Sequence, residues 1–132
     1  MAGGGTVTVA GITGQGSTIG SIGGTTGNPS SVDSNWRILA LAPFGKTISI
    51  GSLRVVNVSS TVRFFDVVIV LNDTQDPAQG IRCYEFISVR RGNPFVDGVG
   101  FELNSRECLL VRQTDIAVSW DLHFTAFGGM SR

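Results

Sequence analysis

The sequence predicts an all-β protein: a single β-sandwich or jelly-roll domain of about seven to eight strands, preceded by an extended glycine-rich arm. Three observations carry that expectation. No stretch keeps its apolar residues at helical spacing. From Asp115 to Phe127 the even positions hold Ile116, Val118, Trp120, Leu122, Phe124 and Ala126, while Asp115, Ala117, Ser119, Asp121, His123 and Thr125 hold the odd ones. A period of two over that length marks a strand with one buried face. Elsewhere, runs of β-branched and aromatic residues alternate with short clusters of Gly, Pro, Asn and Ser, which are turn-formers.

The elements follow in chain order. Residues 1–35 form the arm: they hold most of the glycines among Thr and Ser, and their only charge is Asp33. Such a segment buries too little apolar surface to offset the entropy of ordering glycine, so by itself it is expected to be flexible. Val7, Val9, Ile12, Ile19, Ile22 and Val32 punctuate it, which suggests ordering against a neighbouring subunit. The folded domain is expected over residues 36–132. Trp36 to Ala42 reads as its first strand, ended by Pro43-Phe44-Gly45. Next come two runs, Lys46 to Val58 and Thr61 to Leu71, split by Ser59-Ser60, which read as a hairpin. Within the first run Ile48 and Ile50 share one parity and Leu53 and Val55 the other, so a bulge is expected at Gly51-Ser52. The second run is apolar on both faces apart from Arg63 and Asp66. A core can cover one of them, and a partner subunit is the expected cover for the other, with Val62, Phe64, Val68 and Val70 as interface residues. Ile81 to Val89 reads as a strand with Ile81, Cys83, Ile87 and Val89 on one face and Tyr84 and Phe86 on the other. Arg90 to Gly100 reads as a loop, and Phe101 to Leu103 and Glu107 to Arg112 as short strands around a turn.

Composition narrows the function. The 132 residues suit one domain, and 15% charge with 42% apolar residues suggests surface hidden against something else. Ten basic and ten acidic residues cancel, so no net field attracts nucleic acid. Apolar runs such as Val67 to Leu71 fall far short of the roughly 20 residues of a spanning helix, and no signal peptide is visible. No membrane partner is expected, and synthesis and assembly in a cytoplasm are. Nine of the ten basic residues are Arg, which suits interfaces as well as a codon bias.

Candidate chemistry is sparse. Ser119, Asp121 and His123 have the residue types of a hydrolase triad, but neighbours on one strand face lie roughly 6.6 Å apart and point the same way. That does not place a base within hydrogen-bond reach of a nucleophile, so no catalytic residues are expected. The glycines of Gly14-Gln15-Gly16-Ser17-Thr18-Ile19-Gly20 miss the dinucleotide spacing by one residue and follow no apolar strand. The acids between Asn72 and Gly80 do not fit the calcium loop, and Asx-turn chemistry accounts for them. One histidine and two cysteines supply no metal set within a chain; Cys83 and Cys108 read as small core hydrophobes. No cofactor is expected.

The stretch Ala42-Pro43-Phe44-Gly45-Lys46 through Asn57 to Phe64, and the closing segment Cys108 to Gly128, resemble small phage-encoded virion β-domains. In these a Pro-x-Gly-Lys turn leads into a strand, an Asn-containing Ser/Thr-rich turn and a second strand. The resemblance implies a non-enzymatic virion protein, frequently trimeric: a capsid decoration (cement) protein on a major capsid protein, or a tail appendage or fibre component. A carbohydrate- or receptor-binding module is the alternative. In the leading reading the arm, with Val7, Val9, Ile12, Ile19 and Ile22 as anchors, attaches the homotrimer by adding a strand to a neighbour's sheet.

Overall fold

The computed structural model describes residues 17–23, 28–30, 32, 35–71, 74–98, 100–114 and 120–131. They form ten strands: β1 (Ser17–Gly23), β2 (Asn28–Pro29), β3 (Arg37–Leu41), β4 (Thr47–Asn57), β5 (Arg63–Leu71), β6 (Ile81–Val89), β7 (Phe95–Asp97), β8 (Phe101–Leu103), β9 (Glu107–Gln113) and β10 (Leu122–Ser131). One 3₁₀ turn, Pro77–Gln79, is the only helical piece among the described residues. Asp76 caps it, its carboxylate accepting from the Ala78 N–H at 3.0 Å, so the Asx-turn reading of this loop holds at that residue.

Two antiparallel sheets result. In the first the order is β1-β10-β4-β7, with β8 also on β4; in the second it is β2-β3-β9-β5-β6. The pairing is nested about the β5–β6 connection. β5 pairs with β6, β4 with β7 and β8, β3 with β9, and β1 with β10. Successive pairs alternate between the sheets, and β4–β10, β5–β9 and β2–β3 close the remaining ladders. The chain is thus one long hairpin rolled up on itself.

The main core lies between the sheets. Ile48, Ile50, Leu53 and Val55 of β4 and Leu122, Phe124 and Ala126 of β10 meet Phe65 and Val67 of β5, Leu109 and Val111 of β9 and Val89 of β6. Edge-to-face rings thread through it, with Phe65 against Phe95 at 5.1 Å and against Phe124 at 5.6 Å between centroids, a geometry aromatic quadrupoles favour. The alternation read in the last strand holds where the chain is described. Trp120, Leu122, Phe124 and Ala126 are buried, His123 is exposed, and the strand runs on to Ser131.

The expected bulge in β4 is present. Phe127 stands opposite Ser52 and Gly128 opposite Ile50, so Gly51 is the inserted residue and both parities of β4 face inward. The partner strand makes room with Gly128, since a Cβ there would fall on the Ser49 carbonyl oxygen.

Four expectations are corrected. The two runs around Ser59-Ser60 do not form a hairpin: β4 lies in the first sheet and β5 in the second. Asn57, 2% exposed, organises the crossing. Its amide donates to the Thr61 and Val89 carbonyls at 2.8 and 2.9 Å and accepts from the Ser59 N–H at 2.8 Å. A side chain holding three backbone groups in place of a ladder lets the chain change sheets. Secondly, the sheets start before Trp36. Ser17–Gly23 pairs with β10 of its own chain, inserting Ile19 at a register shift, and Asn28–Pro29 pairs with β3. Ile19 and Ile22 therefore stand in the chain's own sheet, whereas Val7, Val9 and Ile12 lie outside the described residues.

Thirdly, the outer face of β5 is covered in large part by its own chain. Val68 and Val70, expected at an interface, join Trp36, Cys108 and Leu110 in a second buried cluster, with Ile38 against it. The turn after Pro77–Gln79 covers them, for a Cβ on Gly80 would collide with Val68, Val70 and the Ile69 carbonyl. Half-buried Val62 precedes β5, and Phe64 remains half exposed. Finally, Tyr84 faces the core instead of sharing a face with Phe86. The register explains it: Ile69 faces Ile81 and Val68 faces Arg82, but Val67 faces Tyr84 and Phe65 faces Ile87. Two insertions along β6, at Cys83 and at Glu85-Phe86, cancel in parity, so its ends look regular while its middle is turned over.

Candidate functional site

The most elaborated group of side chains lies on the outer face of the second sheet, centred on Asp66 in the middle of β5. It is a buried acid, with its side chain 2% exposed, and burying a carboxylate is costly unless it is fully hydrogen-bonded. Asp66 is. One oxygen accepts from the Phe86 N–H at 2.8 Å. The other accepts from Arg112 Nε and Thr114 Oγ1, both at 2.8 Å. Burial works against the charge, but these three donors and the Arg112 cation outweigh it and hold the carboxyl below its usual range. Arg112 is itself placed by stacking, its guanidinium carbon 4.7 Å from the Trp36 ring centre.

The consequence falls on Phe86. Its N–H is drawn inward to Asp66 at the bulge, and its backbone takes φ 55°, a left-handed conformation that is an outlier for a bulky residue. The ring is thereby thrown onto the outer face, where it lies parallel to Phe64 at 4.3 Å and 6° and stays 59% exposed. Beside the pair stand exposed Ser88, opposite Phe64 in the register, and exposed Glu85, which precedes Phe86 in the chain. An open aromatic platform with a polar border is the result.

The other candidates do less. Asp121 is ion-paired to Arg63 at 3.0 Å and its N–H donates to Gln113 Oε1 at 2.6 Å, while His123 is exposed and Ser119 lies outside the described residues. Asp121 is thus engaged in holding strand ends together. Among the described residues no cluster of His, Cys, Asp and Glu could hold a metal. The two cysteines are free thiols, Cys108 in the outer cluster and Cys83 against the main core, and burial pushes both up to about 11. Neither has thiolate character at neutral pH. Tyr84 donates to Asp97 at 2.5 Å at the mouth between the sheets, with its phenol raised by burial and by that carboxylate. It is packed by Phe65, Phe95 and Phe101, and closes the sandwich edge.

Of the residues expected to mediate contact, Phe64 alone takes part in the platform. Phe86 was missed because the compensating insertions hide its turn. A polar Asp amid a strand otherwise apolar on both faces was the available signal. Apolar exposure also collects where the strands end, at Leu41, Phe44, Leu71 and Ile81. No family model, curated protein or solved structure matches the chain.

Proposed function

We propose that the protein is a non-enzymatic structural component of a phage particle, an oligomeric capsid decoration protein attached by the residues ahead of β1. The nested pairing carries this reading: four antiparallel strand pairs alternating between two sheets suit a jelly-roll connectivity, an architecture used by capsid and lectin domains. Fold alone does not fix function, so the argument adds the exposed apolar side chains Leu41, Phe44, Leu71 and Ile81, which suit contact with another virion protein. The glycine-rich segment supports it too. Ser17–Gly23 adds a strand to β10 with no charged residue in it, and the residues before it have the same composition, suited to adding a strand to a neighbour's sheet. Several such arms on a homotrimer would act together through effective concentration.

Immunogold labelling of purified particles tests the reading. Label spread over the head is expected; label at a single vertex moves the protein to the tail, and absence from particles removes the virion reading. Deleting residues 2–16 is expected to leave the sandwich folded, with unchanged circular dichroism, and to release it from particles.

A further inference from the structure

We infer that the Phe64–Phe86 pair is a binding platform for a pyranose ring, one whose apolar C–H face stacks on the exposed face of Phe86 while its hydroxyls meet the polar border. Three features converge on one ring. Phe86 holds a left-handed φ of 55°, its side chain is 59% exposed, and a buried carboxylate is committed to its N–H. Strain that the surroundings over-determine is a pointer to function, and here the surroundings are Asp66, Arg112 and Thr114. Parallel stacking on Phe64 at 4.3 Å fixes the ring's tilt, so its outer face is presented flat and pre-organised.

The border selects the ligand. Ser88, opposite Phe64, and Glu85, next to Phe86 in the chain, are exposed and polar or charged, offering a hydroxyl and a carboxylate beside an aromatic face. A sugar ring has that same division, one apolar patch within a rim of hydroxyls. A protein interface instead surrounds its aromatic anchor with apolar contacts that exclude water. Among the described residues none of the other large exposed apolar side chains is the strand partner of Phe64 or a chain neighbour of Phe86. The inference holds wherever in a particle, or outside one, the protein resides.

Saturation-transfer NMR on the full chain tests it, with methyl β-D-galactopyranoside, methyl α-D-glucopyranoside and methyl α-D-mannopyranoside at millimolar concentration. The expected result is transfer to ring C–H protons of one face in at least one pyranoside, lost in Phe86→Gly and in Phe86→Leu. Glycine relieves the left-handed φ, so Phe86→Gly is expected to keep or raise the melting temperature while losing the sugar. Phe86→Leu keeps apolar bulk without a flat ring. No transfer from any pyranoside to the wild-type chain overturns the inference, as does transfer that survives both substitutions. A melting temperature that falls in Phe86→Gly makes the ring a structural element and overturns it as well. Self-association in sedimentation that depends on Phe86, without sugar contact, assigns the face to a second copy instead.

Discussion

Strands β4 and β6 both carry inserted residues, and they accommodate them by opposite means. In β4 the insertion at Gly51 is admitted by an absence: the facing strand has Gly128, and nothing but hydrogen fits against the Ser49 carbonyl. In β6 the insertion at Glu85-Phe86 is held by a presence, the Asp66 carboxylate that captures the Phe86 N–H. The first device serves the core, since it lets four apolar residues of β4 face inward. The second serves the surface, since it puts a ring outside. A steric device ought to be intolerant of any added atom and indifferent to pH; an electrostatic one ought to be the reverse.

The largest effect is expected at Gly128. Phe127 and Gly128 flank the register shift, and a methyl group on Gly128 must push β10 off β4 at the centre of the first sheet. Gly128→Ala should cost about 3 kcal/mol or more, read as a loss of urea midpoint or as insoluble protein. A wild-type midpoint in this variant would break the comparison on its steric side.

Asp66→Ala comes next. It strands the Phe86 N–H and leaves Arg112, whose side chain is 29% exposed, without its carboxylate. Because Arg112 can turn to water, the cost should be about 2 to 3 kcal/mol, below that of a fully buried pair. Amide exchange at Phe86 should quicken in the same variant, and unchanged exchange would mean the bulge does not depend on the acid.

A smaller effect follows from acid. The folded-state pKa of Asp66 is held below the ordinary 3.8, so the unfolded chain takes up its proton first as pH falls. Its contribution is present in full above that ordinary value and is lost as pH drops through the depressed one. Unfolding midpoints measured between neutral pH and strong acid should fall more steeply for the wild type than for Asp66→Asn. Parallel curves would remove Asp66 as a source of acid sensitivity.

The smallest effect sharpens the contrast. Gly51 is the residue that signals the bulge, yet it is exposed, and its nearest neighbour for an added Cβ is the Phe127 carbonyl oxygen at 3.9 Å. Gly51→Ala should change stability by no more than about 0.5 kcal/mol. A loss as large as that of Gly128→Ala would place the steric constraint on the inserted residue itself.

The same pair of bulges shows what was legible from residues alone. A single insertion flips parity for the rest of a strand, and Ile48 and Ile50 against Leu53 and Val55 record the flip. Two insertions restore parity, so Ile81 to Val89 read as a regular strand and Tyr84 was set on the wrong side. The agent of the second bulge, Asp66, is 20 residues from Phe86, and no local pattern links them. The two-faced character of β5 was readable, but its covering was not. Trp36, Cys108 and the Gly80 turn come from three distant segments, so no local pattern in β5 announces them. The hairpin reading failed for a related cause. Two strand-like runs with a polar break look alike whether the chain doubles back in one sheet or crosses to another, and Asn57 decides it through the carbonyl of Val89, far away in sequence.

The rolled hairpin also sets a timetable for synthesis. Strands β9 and β10, which follow the other described strands in sequence, occupy interior positions, β9 between β3 and β5 and β10 between β1 and β4. Until they emerge from the ribosome, β4 lacks its longest partner and β5, apolar on both sides, has an open edge. Neither sheet can mature strand by strand behind the growing chain. Folding must wait until residues 107–131 have emerged, and pairing across such sequence distances is slow. In that interval β5 is the segment most apt to find another copy of itself, so crowded translation favours aggregation or demands a chaperone.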